Sequence, residues 1–145
     1  MTTRKAYNDF IFDYDTDTGS AYSIYAYGMT GCLPVPDDQF HADLLGITNK
    51  QHRLVHEICH HVIGWVFYKS TSSPVLQRDV NGHKQNEASQ EEEWLVTALT
   101  YELFNKYWAH RQSGIKKLKS AGVDIAATIA QLKGELTYFD NSLKF

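Results

Sequence analysis

The stretch HRLVHEICHHVIG, residues 52–64, constrains this chain more than any other. Read as a helix, it stacks His52, His56 and His60 in one column, because side chains four apart lie over one another. Val55, Cys59 and Ile63 run beside the column, and Leu54, Ile58, Val62 and Trp65 fill the opposite side. A helix that is apolar almost all round belongs in the middle of a domain. The histidines are then buried or on the floor of a cleft, where imidazoles need partners, and a shared metal ion supplies one.

Within the column, His56, Glu57 and His60 spell H-E-x-x-H. Two imidazoles at i and i+4 can each aim a nitrogen at one zinc ion about 2.0 to 2.1 Å away, while the intervening glutamate reaches a water held there and acts as general base. Zinc lowers that water's pKa toward about 7, which makes the glutamate an adequate base. The chain has seven histidines, and with as many glutamates chance alone would produce about 0.016 such motifs.

The stretch resembles the zincin metallopeptidases, and among them the small ImmA/IrrE-like group. In that group a later helix opens with a glutamate that completes the site, and QEEEWLVTALTYELFNKY, residues 90–107, has this form. The resemblance covers the two helices, about a third of the chain, and is specific at His56, Glu57 and His60. It implies bound Zn2+, a minimal zincin-like fold, and hydrolysis of a peptide bond in one protein partner, such as a regulator. The long metzincin signature is absent, since the positions three and six beyond His60 are Ile63 and Val66.

The third ligand must therefore come from outside the motif helix. Glu91, Glu92 and Glu93 are candidates, and the loop residue His83 competes with them. Glu93 leads to Val96, Thr100 and Leu103 along the apolar stripe, whereas Glu92 leads to Val96, Leu99 and Leu103; the phase favours Glu93. Val96 and Thr97 stand where the group has a small residue and asparagine after the ligand. His52 is expected to support the site rather than ligate, His61 to lie at the surface or behind the site, and Cys59 to be a small core residue. Tyr101 and Tyr107 lie further along the second helix, where a phenol could stabilise an oxyanion.

The rest of the chain supports one domain, residues 1–145, of α+β class: mainly helical, with a small N-terminal antiparallel hairpin or sheet. Residues 9–28 hold two aromatic and β-branched runs around Thr16 to Gly19, which predicts the hairpin. Asp37 or Asp38 caps a short helix through Leu45, ended by Gly46. Thr48 and Gln51 form a capping box that starts the motif helix near Asn49, running to about residue 68. Residues 70–90 are polar and broken by Pro74 and Asn81-Gly82, so they read as a long loop with at most a short strand at 75–80. A helix follows from 89 or 90 to His110, its acidic start favoured by the helix dipole. Gly114 and Gly122 punctuate a final helical region, 115–120 and 123–139, and only the ends are expected to stay unstructured.

Composition narrows the function. At 43% hydrophobic, 13% aromatic and 21% charged, with a formal charge of -3, the chain has a folded soluble protein's make-up and no field to gather nucleic acid or an anionic membrane. No apolar run approaches the roughly 18 residues that span a bilayer. Cys32 and Cys59 are the only cysteines and the N-terminus lacks a signal pattern, so cytoplasm is expected. A di-iron bundle would need a second E-x-x-H, a His-Asp phosphohydrolase an adjacent pair, and a serine hydrolase a G-x-S-x-G elbow; the chain has none. The expected function is a zinc metallopeptidase with Glu57 as base and His56, His60 and Glu93 as ligands. The alternative is a catalytically silent zincin-like binding or inhibitory module.

Overall fold

A computed structural model describes the backbone of residues 1–6, 10–25, 28–31, 38–70, 76–80, 83–87 and 90–145. For 10, 22–31, 64–70, 76–80 and 83–87, no side chain is described. The class is α+β and mainly helical. The N-terminal sheet has four antiparallel strands in chain order, β1 (Thr2–Ala6), β2 (Phe10–Asp15), β3 (Ala21–Tyr25) and β4 (Gly28–Gly31). The hairpin expected at 9–28 is its centre, with Tyr14 opposite Ala21. In the turn, Asp15 Oδ1 accepts from the backbone N–H groups of Asp17 and Thr18, and Gly19 has a φ of 72°. The N-terminus is thus a strand rather than a loose end. Thr2 to Ala6 alternate exposed and half-buried, and β1 closes its ladder against β2, with Arg4 paired to Asp13. Its polar composition concealed it in the sequence.

The helices are α1 (Asp38–Leu45), α2 (Asn49–Ser70), α3 (Gln90–Phe104), α4 (Arg111–Ser120) and α5 (Ile125–Phe139). Between α2 and α3, β5 (Leu76–Val80) and β6 (His83–Glu87) form a second antiparallel pair. The segment read as a loop is therefore a hairpin. Its Val80 and His83 pair across two residues, Asn81-Gly82, a sequence suited to a tight hairpin turn. At the start of α2 the capping box forms as expected: the Gln51 N–H donates to Thr48 Oγ1 at 3.1 Å, and Gln51 Oε1 accepts from the Thr48 N–H at 3.0 Å.

The core lies between α2 and α3 and spreads to the sheet on one side and to α4 and α5 on the other. Leu54, Val55 and Cys59 of α2 meet Leu95, Val96 and Leu99 of α3, all at 0% exposure. Phe12 carries the sheet into this core, edge-on to Phe139 of α5 with ring centres 5.1 Å apart. Tyr14 is buried beside it and donates its hydroxyl hydrogen to Lys50 O.

Two helix boundaries differ from expectation for identifiable reasons. The helix from residue 90 stops at Phe104, not His110, because Asn105 adopts a left-handed φ of 52° and the Lys106 N–H closes back onto Tyr101 O. Gly114, read as a break, sits inside α4. A Cβ there would lie 2.4 Å from the Ala98 Cβ, so this glycine permits close approach of α4 to α3.

Candidate metal centre

The site is built by two facing helices. α2 is long enough to present His52, His56 and His60 on successive turns, and the opening turn of α3 brings its acidic run against the last of these. Glu93 bridges the pair: its Oε2 lies 3.0 Å from His56 Nε2 and its Oε1 lies 3.1 Å from His60 Nε2. The two imidazole Nε2 atoms are themselves 3.0 Å apart. Among the described residues these three side chains form the one group of three or more potential ligands, with ligand atoms within 4.8 Å of one another.

That geometry fits a divalent cation. Ligand atoms about 2.05 Å from a tetrahedral zinc are separated from one another by about 3.3 Å, so separations near 3 Å need only a small expansion. Two imidazoles and one carboxylate are also the donor set of an open three-ligand zinc site. The surroundings are asymmetric: the His56 side chain is 8% exposed and that of His60 14%, whereas that of Glu93 is 48% exposed. Solvent and ligands therefore reach the cluster from the Glu93 side.

The three glutamates opening α3 divide in role, as a helix rotating 100° per residue requires. Glu91 turns to α4 and pairs with Lys117. Glu92 is 3% exposed and accepts a 2.7 Å hydrogen bond from His60 Nδ1–H. A carboxylate on Nδ1 fixes the tautomer and leaves Nε2 for the cluster, the usual arrangement behind a metal-ligating histidine. His83 begins β6, but its side chain is not among those described.

Charge follows this geometry. Burial works against a proton on His60, but the hydrogen bonds to Glu92 and Glu93 and the nearby charges of Glu93 and Glu57 prevail and push its pKa up to about 10. Burial likewise disfavours the charge of Glu93, yet hydrogen bonds from His56 and His60 hold its carboxyl below the usual range. The cluster is thus a place where positive charge is stabilised between two imidazoles and a carboxylate.

Glu57 lies one residue beyond His56, is half-buried, and accepts no hydrogen bond among the described residues. It is close enough to raise the pKa of His60 through its charge. Cys59 is fully buried and hydrogen bonds through its sulfur to Thr100 Oγ1 at 3.8 Å; burial pushes its thiol up to about 12. His61 is half-buried. It points to the sheet, edge-on to Phe12 with centres 5.5 Å apart, and burial, together with the neighbouring charge of His60, lowers its pKa to about 3. Tyr107, placed on the inward stripe by a longer helix, is 86% exposed beyond the end of α3.

Sequence reasoning passed over two residues, both on α1. Asp38 holds His52 and Arg53, and His41 stacks on His52 while its Nδ1 hydrogen bonds with the Tyr101 hydroxyl at 2.9 Å. Burial lowers the pKa of His52, with the Asp38 hydrogen bond opposing it. An aspartate at the start of a short helix reads as a cap, and nothing in its spacing tied it to a histidine 14 residues on. Compared with protein-family models, curated proteins and solved structures, the chain has no match.

Proposed function

We propose that the protein is a zinc-dependent metallopeptidase of the H-E-x-x-H type that cuts a specific protein or peptide partner. The observation that carries this reading is the convergence of His56, His60 and Glu93, from two different helices, with ligand atoms within 4.8 Å of one another. Helical phase alone pointed to this glutamate, and the resemblance of residues 52–64 and 90–107 to ImmA/IrrE-like zincins supplies the reaction class. Bound zinc would polarise a peptide carbonyl and acidify a water. His56 and His60 would hold it through Nε2 and Glu93 through its carboxylate, with Glu92 keeping the hydrogen of His60 on Nδ1. Glu57 has no competing hydrogen bond among the described residues, so its carboxylate is available to take a proton from the attacking water and pass it to the leaving amine. No described helix is long and apolar enough to cross a membrane. We place the protein in the cytoplasm, where the buried free thiol of Cys59 stays reduced.

Elemental analysis of protein purified without a histidine tag tests the reading. Wild type is expected to carry near-stoichiometric zinc, His56→Ala, His60→Ala and Glu93→Gln to lose it, and Glu57→Gln to retain it. Glu57→Gln should also trap a partner that wild type cleaves. Well-folded wild type that takes up no zinc when it is supplied would refute the proposal and leave the silent binding module.

A further inference from the structure

One turn before His56, His52 is 3% exposed and its ring is held on three sides. Its Nδ1–H donates to Asp38 Oδ1, while the other oxygen of Asp38 accepts from Arg53 Nε at 3.3 Å and Nη2 at 3.2 Å. The carboxylate therefore cannot swing away without abandoning the guanidinium. His41 stacks on the ring of His52, centres 5.4 Å apart and planes 22° from parallel, and is itself tied to Tyr101. Between them these contacts fix both the tilt and the in-plane rotation of His52.

A carboxylate only accepts, so the hydrogen sits on Nδ1 and the far nitrogen, Nε2, presents its lone pair. Among the described residues Nε2 has no hydrogen-bond partner. It is not sealed in either, since it is not among the described fully buried side-chain nitrogens and oxygens that lack a hydrogen bond. His60 shows the same design at the other end of the column: Glu92 on Nδ1, Nε2 turned to the cluster. Yet His52 is outside the three-ligand group, its ring centre 5.8 Å from that of His56. Its nitrogens thus fall outside the set of ligand atoms that lie within 4.8 Å of one another, and a nitrogen set back from the cluster is reached through one water, a metal–oxygen bond of about 2 Å followed by a hydrogen bond of about 2.8 Å.

We infer that His52 is a positioning residue whose Nε2 accepts a hydrogen bond from the water occupying the open position beside His56, and that Asp38 sets the tautomer which makes this possible. The inference rests on the metal-site reading above. It gives α1 a role in the site: Asp38 and His41 orient the acceptor, and Glu57 remains the proton carrier.

Cobalt(II) is the probe, because its visible spectrum reports both binding and ionisation of the bound water. His52→Ala is expected to bind one equivalent of Co2+ with affinity within about threefold of wild type. The midpoint of its pH-dependent spectral change should fall by about half a unit or more, since an acceptor favours water over hydroxide. Asp38→Asn should shift it in the same direction, and His52→Gln, which keeps an acceptor, should restore it in part. Retained Co2+ with an unchanged midpoint in His52→Ala would overturn the inference and leave the metal site standing. Loss of Co2+ from a His52→Ala protein with wild-type circular dichroism would overturn it in favour of direct ligation. Wild type that binds no Co2+ at all would overturn the metal reading, and this inference with it.

Discussion

Replacing Glu92 by glutamine separates the two adjacent glutamates that meet the histidines. Glu92 and Glu93 both lie within hydrogen-bond distance of His60, but Glu92 bonds to Nδ1 at 2.7 Å from a nearly sealed position, whereas Glu93 meets the Nε2 atoms. Glu92→Gln keeps the shape and an acceptor oxygen, so the loss is the difference between a charge-assisted hydrogen bond, about 1.5 to 3 kcal/mol, and a neutral one, about 0.5 to 1.5. That difference of roughly 1 to 2 kcal/mol corresponds to zinc binding weakened about 5- to 30-fold, overlapping the lower part of the roughly 10- to 100-fold range found for residues behind metal ligands. Glu92→Ala, which removes the acceptor, should cost about 100-fold, and Glu93→Gln should cost more than either by deleting a ligand. Competition against a chromophoric chelator at fixed pH measures all three, with one equivalent still bound by both Glu92 variants. Wild-type affinity in Glu92→Gln would refute the brace. Loss of zinc in Glu92→Gln with retention in Glu93→Gln would exchange the two roles.

Alkaline pH should destabilise the fold through two buried acids. The Cys59 thiol is pushed up to about 12 from 9.0 by burial, and the Tyr14 phenol, also chiefly by burial, up to about 12 from 10.0. Because both folded-state values lie above the unfolded ones, this stability is complete below about pH 9 and is lost as pH rises toward 12. By about pH 10.5 the loss is about 2 kcal/mol for Cys59 and about 1 kcal/mol for Tyr14. Urea midpoints should therefore fall less between pH 7.5 and 10.5 in Cys59→Ala and Tyr14→Phe than in wild type, and equal falls would contradict the assignment. Gly114→Ala tests the helix contact: a new Cβ 2.4 Å from that of Ala98 should lower stability by about 1 to 3 kcal/mol through overpacking. Unchanged urea unfolding would show that α4 shifts freely on α3.

What the sequence revealed and what it concealed follow from the range of the interactions involved. The α2 helix, its capping box and the candidate ligands His56, His60 and Glu93 rest on spacings of three, four and seven residues within single helices, where phase determines which side chains share a face. The end of α3 depends on one local choice, the left-handed Asn105, for which the sequence offered asparagine but no glycine. Gly114 carried the opposite hazard: by composition it is a breaker, and only the position of Ala98 on another helix makes it a contact. Strand β1 pairs with β2 through backbone groups that leave no mark on its alternating polar residues. The division of labour among Glu91, Glu92 and Glu93 combined both kinds of information. Successive residues must diverge by about 100°, which sequence knows, but which of them meets Nδ1 of His60 and which meets Nε2 depends on where α3 docks. Asp38 is the extreme case. It lies 14 residues before His52 on a separate helix, and its link to the histidine exists only because α1 folds back along α2. The residues that hold a candidate metal could thus be read from periodicity. Those that orient the holders come from tertiary docking, and a substitution in them is expected to tune affinity or the acidity of a bound water before it abolishes binding.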